Sequence, residues 1–242
     1  MGTVFALRVG GELDAGTLDE IHALWRDIEA RFSTFEEGSQ ISRIGRGELA
    51  IDDADPDVRH VLSVCAEVEA VTRGVVSVRP GRPGGPGLDP AAFVKGWSVD
   101  EAALVLRSAG HDDFVVYAGG DVLCSGSPAP GERWMVGIRD PREPDGVVAA
   151  IEVARGAVAT SGAYERGAHV WGPAPGVGLG SATVMGPSLG MADALATALF
   201  AGGSDASVAW MGEFPGYSAL LVTADGSLQT IGTVPSGFRV AA

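Results

Sequence analysis

The chain has 242 residues, 46% of them hydrophobic and 20% charged, enough to bury a large core in one domain or two merged halves. Its 17 Lys and Arg against 31 Asp and Glu give a formal net charge of −14, which argues against nucleic acid and anionic lipid as partners. A phosphate-bearing ligand would have to be met by local cations, a metal or backbone N–H groups.

The opening MGTVFALRVGG has no basic region, long apolar run or cleavage site, and no stretch reaches membrane-spanning length, so a cytoplasmic chain without a membrane span is expected. Thr3 to Val9 alternates as a strand does and stops at Gly10-Gly11. Asp14 to Phe32 carries Leu18, Ile21, Leu24, Trp25 and Ile28 at helical spacing; Phe32 to Ile44 reads as a polar loop closing in a short turn. A second helix is predicted over Asp57 to Thr72. Gly81 to Gly87, GRPGGPG, can be neither helix nor central strand and is the sharpest break in the chain. Ser98 to Ala109 predicts a helix. Strands follow at Phe114 to Tyr117, Val122 to Ser125, Trp134 to Arg139, Val147 to Val153, Ala157 to Ser161 and Thr183 to Gly186. An alanine-rich helix, Met191 to Ala201, stops at Gly202-Gly203, and Tyr217 to Thr223 with Leu228 to Val234 forms a hairpin around Asp225-Gly226. Helices and strands mix without a βαβ rhythm, so the class is α+β. Cys65 and Cys124 make neither a zinc pattern nor a disulfide framework and read as buried free thiols.

Four segments carry candidate chemistry. In Leu88 to Asp100, Asp89 is followed by small and apolar residues, then Lys95-Gly96 running into a helix; small residues admit close approach to the main chain, and a lysine at a helix entrance adds charge where phosphate meets free N–H groups. An N-capping Asp89 and a snorkelling Lys95 explain the same residues. In Tyr117 to Asp121, Gly119-Gly120 permits either a ligand's approach or a tight turn. Ala159 to Arg166 puts hydroxyls at a strand end with an aromatic and a charged pair, and His169 follows, with the pKa range of a general base. Asp193 and Thr197, four apart on an apolar helix, present two oxygens to one side, as a hard cation such as Mg²⁺ requires; a residue near the helix N-terminus and a threonine bonded back to a carbonyl are the alternative. No GxSxG, P-loop, HExxH or βαβ GxGxxG motif is present.

Six segments, in order, resemble the ApbE family of FAD:protein FMN transferases. Met1-Gly2-Thr3 is similar to that family's opening strand, and Phe32-Ser33-Thr34-Phe35 through Ser39-Gln40-Ile41-Ser42-Arg43 to its STY…SE(L/I)SR segment. Asp89 to Asp100 resembles DLGGIAKGYAVD, Tyr117 to Asp121 NAGGD, Ala159 to Arg166 ATSGDYER, and Thr183 to Phe200 the segment ending ADALATALF. The resemblance implies one domain over 1–242, an ApbE-like (T-fold-like) α+β fold of mixed sheets packed with helices, and an FAD cleft between the halves. It implies Mg²⁺-dependent transfer of FMN from FAD, the substrate, to a Ser or Thr hydroxyl of an acceptor protein, with AMP released.

Residue by residue, the resemblance implies that Met1 and Phe35 touch the flavin or adenine, that Ser77, Val78 and Arg79 line FAD, and that Asp89 and Lys95 bind it. Gly119, Gly120 and Val170 would border the same pocket. The Ala92 carbonyl, Asp193 and Thr197 would hold Mg²⁺, and His169 would take the acceptor's proton. The chain departs from the pattern in three places: Ala91-Ala92 replaces a glycine pair, GRPGGPG a longer segment, and Gly172 an aspartate. An FAD pyrophosphatase making FMN and AMP, or a non-catalytic FAD-binding protein, would use the same pocket.

Overall fold

The computed structural model describes residues 3–79, 87–143, 145–162, 177–206 and 208–240; the side chains of 204–209 are not part of that description. Strand β1 (Phe5–Val9) leads into α1 (Ala15–Phe32), whose first turn is fixed by Asp14: its carboxylate accepts the Thr17 N–H at 3.0 Å and the Thr17 hydroxyl at 2.6 Å. Phe32 to Ile44 is not all loop. It contains α2 (Gln40–Gly45), capped by the Ser39 hydroxyl accepting the Ser42 N–H at 3.0 Å. The helix is only 6 residues long, below the length at which periodicity shows. A short 3₁₀ turn (Ile51–Asp53) precedes α3 (Pro56–Val71), which starts with proline in its first turn, where no N–H is missed.

The helix expected from Ser98 begins seven residues earlier: α4 spans Ala91–Ser108 and contains the Asp-to-Lys motif's second half. Hairpin strands β2 (Phe114–Ala118) and β3 (Asp121–Ser125) are joined by Gly119 and Gly120, both at positive φ, 57° and 100°, as a two-residue turn of this twist demands. Strands β4 (Trp134–Arg139), β5 (Val147–Val153), β6 (Arg155–Gly162) and β7 (Leu179–Gly186) follow. Helix α5 (Leu189–Ala206) breaks its geometry at Gly203, a one-turn α6 spans Val208–Met211, and β8 (Ser218–Thr223), β9 (Leu228–Ile231) and β10 (Phe238–Val240) end the chain.

Seven strands form one sheet in the order β1-β2-β3-β6-β7-β8-β9, and three form a second, β10-β5-β4. Every pairing among the described strands is antiparallel. Period-2 alternation assigns the faces of the large sheet. Phe114, Val116, Leu123, Ala157, Ala159 and Val184 pack under α1, α4 and α5, whereas Val115, Val122, Cys124, Val158, Met185 and Leu220 pack against β4 and β5. A third apolar cluster joins Ile28, Phe32, Ile41, Val58 and Val61 to Phe93, Val94 and Trp97 of α4. The large sheet therefore has helices on one face and the small sheet on the other. Both thiols are unpaired, and burial pushes each up to about 12.

Helices α4 and α5 cross at van der Waals contact of their backbones. A Cβ on Gly96 would lie 2.3 Å from the Leu189 carbonyl oxygen, and one on Gly190 3.0 Å from the Trp97 nitrogen. Beside the crossing, half-buried Asp100 accepts the N–H groups of Leu189 and Gly190 and the Ser188 hydroxyl, each at 2.8 Å, capping α5 from α4. Burial outweighs these bonds and raises the Asp100 carboxyl above its ordinary value.

Gly96→Ala is expected to destabilise the protein by about 1–3 kcal/mol in urea unfolding, while Gly11→Ala, with nothing within 4 Å of its added Cβ, stays within roughly 0.5 kcal/mol of the parent. Because the folded pKa of Asp100 is raised, its stabilising share is full below 3.8 and is lost as pH climbs through the folded value. Asp100→Asn should therefore gain stability relative to the parent across that climb, read from unfolding free energies at successive pH values.

Candidate functional site

The site is built where the start of α4 meets the middle of α5 and the ends of β3 and β6. Asp89 shapes the entry: its carboxylate accepts the Ala91 N–H at 3.1 Å, and its own N–H donates to the Val78 carbonyl at 2.7 Å. That backbone bond lays Ser77, Val78 and Arg79 against Asp89, and the Ser77 hydroxyl accepts the Arg79 N–H at 3.0 Å. Gly87 abuts the Gly45 carbonyl, where a Cβ would be 2.7 Å away, so α2 backs the same entry. Just before α2, Phe35 stands 93% exposed, an aromatic ring with almost no contact of its own.

Lys95 does not snorkel. Its side chain is only 17% exposed; its ammonium donates to Asp121 and lies 3.4 Å from an Asp193 oxygen. Asp121 is fully buried, and its other oxygen accepts the Thr160 N–H at 2.9 Å. The carboxylate that starts β3, the amide at the end of β6, the ammonium of α4 and the carboxylate of α5 thus form one connected cluster. Thr197, one turn beyond Asp193, approaches the Ser161 hydroxyl at 3.3 Å; Thr160, pointing to the sheet's other face, meets the Thr183 hydroxyl at 2.9 Å. Ala92 belongs to the same first turn of α4 as Lys95. Gly119 and Gly120 form the hairpin turn immediately before Asp121. Gly120 borders a cavity of about 260 Å³ with Val115, Tyr117 and Val122, on the face turned away from Asp121.

The donor set fits a hard cation. Asp193, Thr197 and Ser161 offer oxygen alone, and among the described residues no three His, Cys, Asp or Glu side chains gather as a metal site. A metal here would draw on one carboxylate, hydroxyl and carbonyl oxygens and the ligand's own phosphates, the pattern of Mg²⁺ rather than zinc.

The ApbE family profile matches residues 80–221, more than half of the chain and the segment that holds Lys95, Asp121, Asp193 and Thr197. The chain belongs to the ApbE family. A relative from Treponema pallidum named FAD:protein FMN transferase is 31% identical over 225 residues, 81% of this chain and 61% of that protein, so the chain spans less than two thirds of it. One of the same name from Haemophilus influenzae is 25% identical, covering 85% and 79%. The solved structure of the flavin transferase ApbE from Vibrio cholerae superposes with a TM-score of 0.81 at 23% identity, covering 95% of this chain and 93% of that one. The ApbE protein from Thermotoga maritima gives 0.73 at 23% identity, covering 95% and 94%. These likenesses bear out the α+β fold of the ApbE structures.

Of the residues singled out in the sequence, the ApbE fold brings Asp89 beside Ser77, Val78 and Arg79, and Lys95 beside Asp193. Phe35 stands apart on the surface. Met1, His169 and Val170 lie outside the described residues. Sequence reasoning passed over Asp121, which lay inside a quoted segment without a role. Its signal was an acid directly after a Gly-Gly turn, on a strand apolar on both faces. The missing side chain of Gly96 serves the contact with α5.

Asp121→Ala leaves the Lys95 ammonium and the Thr160 N–H without this carboxylate and is expected to cost about 3–5 kcal/mol. Adding Lys95→Met should recover part of that loss, because the stranded cation is gone. A double-mutant cycle in guanidinium unfolding reads the coupling.

Proposed function

We propose that this chain is an FAD:protein FMN transferase, moving FMN from FAD to a Ser or Thr hydroxyl of an acceptor protein and releasing AMP. The observation that carries the proposal is the meeting of Lys95 with Asp193 beside the Thr197–Ser161 hydroxyl pair. It places a cation and hard oxygen donors together at a helix entrance, in a chain of the ApbE family. The names of the family's relatives supply the reaction class.

In this proposal Asp193, Thr197 and the Ala92 carbonyl hold Mg²⁺. When bound, the ion offsets the negative charge of the diphosphate and of the transition state. Lys95 binds a phosphate oxygen, with Asp121 fixing its ammonium through the amide-anchored carboxylate. Asp89, with the 77–79 segment bonded to it, and the Gly119-Gly120 turn shape the pocket for FAD, with Val170 and Met1 joining them. Phe35 offers its face to a flavin or adenine ring. The acceptor oxygen attacks the FMN phosphorus, His169 takes its proton, the bond to the AMP oxygen breaks, and AMP leaves. The buried surroundings of Asp121 and Asp193 strengthen each of these charge contacts relative to water.

Mass spectrometry of an acceptor incubated with FAD and Mg²⁺ should show the added mass of FMN. Asp193→Ala should slow this at least about 100-fold while the protein stays folded, the scale expected when charge stabilisation worth several kcal/mol is lost. An unchanged rate in that variant removes the metal assignment. AMP formed as fast without acceptor as with it would make the reaction FAD hydrolysis.

A further inference from the structure

At the far end of α4 and of the same strands lies a second polar cluster, of opposite character. Ser125 ends β3. Its cross-strand partners are Phe114 on β2 and Arg155 on β6, so the three side chains project from one face, the face that also carries Leu123 and Ala157 beneath the helices. Arg107, in the last turn of α4, holds its guanidinium 5.3 Å from the centre of the Phe114 ring. Arg107 and Arg155 thus lie on the side of β3 that Ser125 faces, near enough for their charges to act on one another.

Three observations show that the cluster is incomplete. Ser125 is fully buried, yet its hydroxyl has no hydrogen-bond partner. The Arg107 Nε is likewise buried without an acceptor. The two guanidiniums repel: burial first, then Arg155, hold Arg107 below its ordinary range, against the pull of Asp100 and Asp112. Neither acid resolves the matter. Asp100 has both oxygens committed to Ser188, Leu189 and Gly190, and among the described residues Asp112 forms no ion pair with either arginine. Buried donors without acceptors cost stability, and two like charges add to that cost, unless an anion completes the set.

We propose that Arg107, Arg155 and Ser125 form a binding site for a phosphate group. Two guanidiniums and a hydroxyl from different elements suit a tetrahedral dianion: Arg107 Nε and the Ser125 hydroxyl each donate to one oxygen, and Arg155 closes the site from solvent. The site is separate from the proposed transfer site. Asp121 and Ser125 are four residues apart on one face of β3, about 13 Å at ~3.3 Å per residue. Lys95 and Arg107 are twelve apart on α4, about 18 Å at ~1.5 Å per residue. It does not depend on the reaction proposed above.

Thermal unfolding of the full chain in sodium phosphate, against sodium chloride at matched ionic strength, tests this. The midpoint should rise along a saturating curve, unlike the unsaturating drift of a general salt effect. Arg155→Gln, at an exposed position, and Ser125→Ala should each raise the half-saturating phosphate concentration tenfold or more. Lys95→Met should leave it unchanged. In chloride alone Ser125→Ala should be no less stable than the parent, since it deletes an unpartnered hydroxyl. The proposal is overturned if the parent shows no saturable rise. It is equally overturned if the rise survives Arg155→Gln and Ser125→Ala but disappears with Lys95→Met, which would place the phosphate at the transfer site.

Discussion

The contact between Gly96 and the first residues of α5 sets the distance on which the rest of the site depends. Two helices with ordinary side chains at their crossing lie 8–10 Å apart, axis to axis. Here one backbone rests on the other, with the Leu189 carbonyl where the Gly96 side chain would begin. Asp100 locks the contact by capping α5 from α4, so the two helices share hydrogen bonds as well as apolar surface. With the crossing fixed, Lys95, the neighbour of Gly96, has no freedom over which residue of α5 it faces. It lies beside Asp193, one turn past Gly190.

The cluster this creates is a costly arrangement for a fold. Removing an ammonium and two carboxylates from water carries a desolvation cost that their mutual attraction need not repay, and an apolar trio of similar volume would stabilise as well or better. In the proposed reading, burial of the three serves function rather than stability. Asp121 shows how firmly the arrangement is held, with one oxygen on the Thr160 amide and the other on Lys95. A side chain fixed at both ends presents its partner in one orientation, and an ammonium so fixed would need no reorganisation to meet the phosphate of the proposed substrate.

Much of this was legible in the sequence. Long periodic elements such as α1, α3 and the β8–β9 hairpin announced themselves through spacing and turn residues, because their burial pattern is regular. The start of α4 was not legible. Ala91 to Lys95 carries motif residues whose glycine-like smallness and preceding proline read as loop, and the fold overrides that local reading by packing Phe93 and Val94 into the α1–α3 cluster. α2 was missed because a single turn and a half carries no period. In the site, Asp193 and Thr197 stood out as oxygens on an apolar helix. Asp121 did not, since nothing in one strand's sequence tells which helix will deliver a lysine to it. Contacts such as Lys95–Asp121, 26 residues apart, exist only once the crossing and the sheet order are set.

The same reasoning separates the two ends of the molecule. Between Asp121 and Ser125 the helix-facing side of β3 presents only Leu123, and α4 between Lys95 and Arg107 contributes Val99, Ala102, Ala103 and Leu106 to the core. An apolar slab of this kind is a poor medium for charge, so polar groups collect at its two margins and each margin must satisfy its own. At the margin holding Lys95, cation and carboxylates come from the same chain and complement one another. At the margin holding Arg107, two cations and a buried hydroxyl come together, and the nearby acids among the described residues do not complete them: Asp100 is committed to the start of α5, and Asp112 acts on Arg107 without forming an ion pair with it. The difference between a complemented margin and one whose buried donors, the Ser125 hydroxyl and the Arg107 Nε, lack acceptors is what points the second one to a ligand from outside: packing can explain why polar groups are pushed to an edge, but it gives no reason to leave them unpartnered there.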